Sequence, residues 1–531
     1  MAMMERPRVR ETAGGKCWEH RFDLFELKAY VPDNNLDGQV NNYGFRAPLL
    51  LVFEEEPQNM DAAVQFARES GLAKIAADRD TAVLFIYPTA GGGWAAADES
   101  LYAGLIAEVK MIQVYQDGIV ENYDFFAKAF KGYFIRGAIF RADIYSFGAS
   151  ADYVARHLLK TLQGEYLWGP GEITPAMWSM ERLSVMPDVQ RKDIAVLSVG
   201  NSGEINKAFE GCEHLLVKQT AEYEKDFLAF VRKFKMWCGK MEYEPDFPAL
   251  GMTEDAGFVE VSTSPDHRGR FQNEKSHKVG YFAYYNNDTF DRGPAPLVVG
   301  FHGGGDSSMY LTYVAGWWEI AHRYGFLFVS VENHLDVTAT EAVALIEGLK
   351  QRYDIDAHRI YATGFSMGSG KSWDCFQEYP EVFAGIMPAS ALFPVWTTFW
   401  GTPAPENINR TVPVPVFYSG GEESPLPELP FQTPATFERM QYVAAVNRLK
   451  KDFSSLSFEK KDAWEDPVWG IPGDRIERIP DPSRGSVLTV HYYDSEDGVC
   501  RTAFAGVSGQ QHECRPHSCE TAWKFISQFT R

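Results

Sequence analysis

Apolar positions along this chain fall into short unbroken runs rather than alternating patterns. Ala47-Pro-Leu-Leu-Leu-Val-Phe53, Thr81-Ala-Val-Leu-Phe-Ile-Tyr87, Asp193-Ile-Ala-Val-Leu-Ser-Val199, Ala295-Pro-Leu-Val-Val-Gly-Phe301 and Gly325-Phe-Leu-Phe-Val-Ser-Val331 are of this kind. A strand buried on both faces reads this way, because it runs inside a parallel sheet covered by helices. Amphipathic aromatic stretches, Glu224 to Phe234 and Glu520 to Phe529, read as helices. Strands alternating with helices predict a mainly parallel sheet flanked by helices, an α/β fold.

The runs recur in one order in the two halves of the chain. Ala47–Phe53 matches Ala295–Phe301, Thr81–Tyr87 matches Gly325–Val331, Ile144–Asp152 matches Ile360–Gly368, and Asp193–Val199 matches Pro413–Ser419. Each half then closes on one of the aromatic helices. Repeated matches in one order predict a duplication: two tandem α/β domains, residues 1–245 and 246–531. Glu242-Tyr-Glu-Pro-Asp-Phe-Pro-Ala-Leu-Gly251 supplies the Pro and Gly of a linker. The first copy is expected to carry the longer insertion, within Leu101 to Phe134.

The second half holds Gly364-Phe365-Ser366-Met367-Gly368, with a strand pattern before it and a helix pattern from Lys371 to Tyr379 after it. Strand, tight turn and helix are the context of a nucleophile elbow. Small residues two places on either side of the Ser let the chain pass close to itself. A Ser hydroxyl is a poor nucleophile until a His takes its proton. Three His follow: His491, within the strand pattern Val487–Tyr493, then His512 and His517. His512, on the loop ahead of the last helix, is where the base is expected, with His517 as the alternative. The acid that orients the imidazole is expected after Val414–Tyr418, where Ser419-Gly-Gly-Glu-Glu-Ser-Pro425 offers Glu423, or Glu422 beside it.

His302-Gly-Gly-Gly305 follows directly on the strand ending at Phe301. Glycines there turn backbone N–H groups toward a developing oxyanion with no Cβ in the way. The N–H of Met367 with those of the Gly303 and Gly304 region are the expected donors. Two insertions, 392–411 and 426–484, carry Trp396, Phe399, Trp400, Trp464 and Trp469. Inserts after late strands lie over the carboxyl ends of the strands, where ligands bind. His302, Trp396 and Trp400 are therefore candidate substrate contacts, with the alternative that the rings glue a cap to the body.

These residues resemble the esterase family of polyhydroxybutyrate depolymerases and feruloyl esterases, within the α/β-hydrolase fold. The resemblance is carried by His302-Gly-Gly-Gly305, by Asp356-Ala-His-Arg-Ile-Tyr-Ala-Thr-Gly-Phe-Ser-Met-Gly368 and by Tyr379-Pro-Glu-Val-Phe-Ala-Gly-Ile-Met-Pro-Ala-Ser390, and covers the C-terminal half. Joined with the duplication, which predicts two tandem α/β-hydrolase-like domains, it implies that the second is a serine esterase acting on feruloyl, acetyl or hydroxyalkanoate esters through an acyl-enzyme. The family usually carries Asp as the acid, where this chain offers Glu, and a secretion signal. Here Met1–Arg10 shows charges with no apolar stretch behind them, which predicts a cytoplasmic protein and a small ester substrate. A peptidase or an acyltransferase would use the same residues, and a non-catalytic binding protein is the reading in which both copies are vestigial.

In the first copy, Glu54-Glu-Glu-Pro57 stands where the second has His302-Gly-Gly-Gly305. Carboxylates repel an oxyanion, and Pro has no N–H to offer. Ser150 matches Ser366, but Asp152 replaces the small residue two places on, the strand ending at Val199 leads to Gly200-Asn-Ser-Gly203 with no acid among them, and His214 lacks partners. This copy is predicted to be a scaffold that packs on the active one, shapes its cleft or sets a homo-oligomer. The net charge of −21 argues against nucleic acid and anionic membranes as partners, and no apolar run reaches transmembrane length. The 7 Cys are odd in number and scattered, which predicts free thiols, and Cys500, Cys514 and Cys519 lack the spacing of a metal site. No metal and no cofactor are expected.

Overall fold

The computed structural model describes residues 8–33, 48–79, 81–115, 135–159, 177–189, 194–212, 214–233, 245–268, 271–304, 308, 310–332, 337–392, 408–481 and 485–531. The chain divides into two compact units, Met1–Pro245 and Asp246–Arg531.

The first unit builds a sheet from β1 (Arg10–Thr12), β2 (Gly15–Arg21), β3 (Phe25–Pro32), β4 (Pro48–Phe53), β5 (Val83–Pro88), β6 (Ala138–Phe147), β7 (Met177–Glu181), β8 (Ala195–Val199) and β9 (His214–Lys218). Their order is β1-β2-β3-β5-β4-β6-β7-β8-β9. Pairing is antiparallel as far as β5 and parallel beyond it. In β4, Leu49, Leu51 and Phe53 enter one core, while Leu50 and Val52 enter another on the opposite face. Helices Met60–Glu69, Leu72–Arg79 and Tyr223–Lys233 cover the second of these. With helices on both faces, the strand has no side on which a polar residue gains by being, hence the unbroken apolar run.

The second unit builds a sheet from β10 (Met252–Ser262), β11 (Ser276–Asn286), β12 (Ala295–Phe301), β13 (Leu327–Val331), β14 (Ile355–Phe365), β15 (Gly385–Ala389), β16 (Val416–Gly421), β17 (Arg475–Asp481), β18 (Ser486–Asp494) and β19 (Cys500–Ser508). Their order is β10-β11-β13-β12-β14-β15-β16-β19-β18-β17. The series β10-β11-β13-β12-β14-β15-β16-β19 repeats β2-β3-β5-β4-β6-β7-β8-β9 in order and in strand direction. A register irregularity falls near the start of the matching strand in each, between Pro48 and Leu50 in β4 and between Ala295 and Leu297 in β12.

Two sequence expectations change here. The helix after the elbow begins at Met367 rather than Lys371, because the turn is completed within Ser366 itself. The segment 426–484 is not only a cover. Its helix Pro434–Val446 sends Phe437, Met440 and Val443 into the main core, and its rings act as core glue: Trp469 stacks on Phe504 at 5.1 Å and Trp464 on Phe437 at 5.3 Å. No described helix is long and apolar enough to cross a membrane.

Candidate active site

Ser366 follows the last residue of β14 and has φ +53°, ψ −116°, a left-handed-side conformation that costs a non-Gly residue on the order of 1–2 kcal/mol. What holds it there is crowding on both sides. A Cβ on Gly364 would lie 2.0 Å from the carbonyl oxygen of Gly368, and one on Gly368 would lie 1.9 Å from that of Phe301. The N–H of Ser366 donates to the Ala389 carbonyl at the end of β15 (3.0 Å). Ser366 also occupies the N-cap of helix Met367–Glu378, yet its hydroxyl caps nothing in that helix. A Ser at this place ordinarily accepts a helix N–H. Here the Oγ lies 2.8 Å from Nε2 of His512 instead. The first-turn N–H groups, Met367 among them, are left at the positive end of the helix.

His512 lies on the loop between β19 and helix Pro516–Ile526. Phe365 packs against its ring, with centroids 4.8 Å apart. The loop is pinned from several elements: Ser390 Oγ and Gln510 Nε2 donate to the Glu513 carbonyl, and the N–H of Cys514 donates to the Tyr310 hydroxyl. Ser390, at φ +57°, also donates its N–H to the Ser419 carbonyl, which ties this loop to β16.

The carboxylate at His512 is Glu428, not Glu423 or Glu422. One Glu428 oxygen is hydrogen-bonded to Nδ1 of His512, and the other accepts the N–H of Gly421 at 2.6 Å. Glu428 is fully buried; Gln432 accepts its N–H at 2.6 Å, and the Tyr418 hydroxyl donates to its carbonyl. Glu423 is exposed and accepts the N–H of Gly509 at 3.1 Å. Glu422 is half-buried, with a carboxyl that burial pushes up against the opposing pull of Arg478. The reason is the course of the chain. β16 runs on to Gly421, so the residues just past it belong to the turn, and the loop folds back only at Leu426-Pro427-Glu428-Leu429. A carboxylate set among Pro and Leu was the one available signal, since such a residue is more easily buried than the Glu422-Glu423 pair. His517 is also set aside from Ser366: it lies in the last helix with Nε2 3.1 Å from the Ile479 carbonyl. His491 sits in β18, its Nδ1 accepting the N–H of Gly473.

The Gly-rich loop lies against the elbow. A Cβ on Gly303 would be 3.2 Å from that of Ser366, and one on Gly304 would be 2.1 Å from the sulfur of Met367. His302 is buried rather than turned toward a substrate. Its Nδ1 lies 2.7 Å from the Gly303 carbonyl and its Nε2 3.0 Å from that of Glu332. Burial lowers its pKa to about 4, outweighing the two carbonyls that favour the charged ring. It braces the loop. Trp396, Phe399, Trp400 and Gly305 lie outside the described residues.

In the first unit the elbow geometry is present, but the residue at its apex is Gly148, with φ +49° and ψ −114°. Ser150, the residue matched to Ser366 by sequence, sits two places further on, with its hydroxyl 2.7 Å from the Phe53 carbonyl. The neighbouring strand fixes the register: Phe53 pairs with Ser146, and Phe301 with Gly364. Glu55 fills the space over the apex, since a Cβ on Gly148 would be 2.0 Å from its Oε1. Glu54 is buried and ion-paired with Lys28 at 2.8 Å.

No protein-family model and no curated protein sequence matches this chain. Among solved structures it is similar to an acetyl xylan esterase from Aspergillus awamori, at 13% identity and a TM-score of 0.34, over 51% of this chain and 98% of that one. It is similar to a thermostable esterase at 18% identity and a TM-score of 0.27, over 36% of this chain and 52% of that one. A ferulic acid esterase gives 11% identity and a TM-score of 0.26, over 37% and 88%.

Proposed function

We propose that this chain is a serine carboxylesterase whose reacting groups are Ser366, His512 and Glu428. The observation that carries the reading is one chain of hydrogen bonds, from Ser366 Oγ through both nitrogens of His512 to the Glu428 carboxylate, set at a strained strand-to-helix turn. In this reading Glu428 keeps the proton of the neutral imidazole on Nδ1, so that Nε2 is free to accept. Ser366 Oγ attacks the ester carbonyl while Nε2 takes its proton. The oxyanion is received by the N–H of Met367 and by N–H groups of the Gly303–Gly304 loop. Nε2 then returns the proton to the leaving alcohol, and water repeats the sequence to release the acid and restore Ser366. The first unit is read as a non-catalytic copy of the same fold. Its shared strand order and elbow dihedrals support that reading, as does Gly148 standing where a nucleophile is needed.

The test is a panel of p-nitrophenyl, acetyl, feruloyl and hydroxyalkanoate esters, run on wild type and Ser366→Ala. Turnover is expected to fall by about 10³-fold or more in the variant, and a fluorophosphonate probe is expected to label wild type at Ser366 alone. Hydrolysis by Ser366→Ala at the wild-type rate would sink the proposal.

A further inference from the structure

Away from the elbow, three side chains with metal-binding atoms converge from separate elements. His267 follows β10, His277 opens β11, and Glu341 lies in the first turn of helix Ala339–Leu349. All three side chains are buried, and one donor atom from each lies within 4.8 Å of the others. Nδ1 of His267 is 3.1 and 2.9 Å from the two oxygens of Glu341, and Nε2 of His277 is 3.9 Å from Oε2.

Glu341 has an evident structural duty. It closes the capping box of its helix by accepting the N–H of Thr338, and it accepts the N–H of Ser264 from the β10–β11 connection, each at 2.8 Å. At 3.9 Å, His277 Nε2 makes no hydrogen bond to Glu341. Yet the ring is held facing it: Nδ1 is 2.9 Å from the Thr263 hydroxyl, and Phe271 stacks on the imidazole at 4.3 Å and 11°. An imidazole fixed through one nitrogen, with the other aimed at a shared centre, is the arrangement of a metal-bound His.

We propose that His267, His277 and Glu341 bind one divalent transition-metal ion, with zinc the best match, and that the ion clips the β10–β11 connection to the N-terminus of helix Ala339–Leu349. Two imidazoles and a carboxylate are a zinc donor set, with water as the fourth ligand. Ligand atoms of tetrahedral zinc sit about 3.4 Å apart. The contacts of 2.9 and 3.9 Å bracket that value, so sub-ångström shifts of the two rings admit the ion. Binding requires neutral imidazoles and an ionised carboxylate, so the proton on Nδ1 of His267 is released as the ion enters. The role is structural and separate from the ester chemistry.

The experiment uses the full chain, stripped with a chelator and titrated with Co²⁺. One equivalent is expected to bind, with the visible bands of a tetrahedral site, to be displaced by Zn²⁺, and to raise the melting midpoint with concentration. His277→Gln removes no hydrogen bond to Glu341 and is expected to weaken Co²⁺ binding by at least about tenfold. X-ray absorption on the wild-type zinc protein is expected to find two imidazoles in the coordination shell, and it decides the matter if that variant fails to fold. Absence of binding by stripped wild type, equal binding by His277→Gln, or a shell without imidazole overturns the proposal. None of these outcomes bears on Ser366.

Discussion

Replacing Glu428 by Gln is the sharpest probe of the proposed site, because the two side chains have the same shape and differ in what they can donate. In the native arrangement one carboxylate oxygen faces Nδ1 of His512 and the other accepts the N–H of Gly421. Gln has one oxygen and one NH₂. The Gly421 N–H demands an acceptor, since two donors facing each other in a buried place cost about 1–3 kcal/mol. The oxygen is therefore held there, and the NH₂ is turned toward His512. Nδ1 must then accept, the ring proton moves to Nε2, and the nitrogen 2.8 Å from Ser366 Oγ can no longer take its proton. A wrong tautomer of this kind costs about 10⁴ in kcat, or about 5 kcal/mol in the barrier. The assay is p-nitrophenyl acetate hydrolysis, with kcat and KM separated. The expected pattern is a fall in kcat for Glu428→Gln with KM little changed, and near-native rates for Glu423→Gln and Glu422→Gln. If Glu428→Gln stays within tenfold of wild type while Glu423→Gln falls, the assignment of the acid is refuted.

The remaining predictions concern stability and the first unit. Lys28→Met leaves the buried Glu54 carboxylate without its cation and is expected to cost about 3–5 kcal/mol, read as a lower urea midpoint; an unchanged midpoint contradicts it. His302 has its folded pKa lowered to about 4 from 6.5, so between those values the unfolded chain binds the extra proton and stability rises with pH. About 3 kcal/mol is expected to be lost as pH falls from 6.5 to 4, and the loss should shrink in His302→Gln; an identical pH profile in that variant rules the reasoning out. Gly148→Ser supplies a hydroxyl at the apex of the first elbow, but at φ +49° and against Glu55. It is expected to gain no ester turnover in a Ser366→Ala background and to lose about 1–2 kcal/mol of stability; turnover in that double variant would mean that the first unit keeps hidden machinery.

The sequence by itself carried what depends on neighbours along the chain. Unbroken apolar runs located β4, β5, β12 and β13, because burial on both faces acts on every residue of a strand. Gly364 and Gly368 marked the elbow, because the chain crosses itself there and leaves no room for a Cβ. The loop ahead of the last helix pointed to His512, which lies against Ser366. The tertiary structure decided what depends on side chains meeting from distant elements. Glu428 displaced Glu423 because β16 runs on to Gly421 and the loop turns back only afterwards. Gly148 displaced Ser150 because pairing with β4, not resemblance of letters, sets which residue reaches the apex. His267, His277 and Glu341 come together only once β10, β11 and a later helix pack, and no pattern along the chain joins them. Local sterics and burial leave a periodic trace in sequence, whereas the convergence of a few polar atoms depends on register and on the exact end of a strand, which one residue can shift.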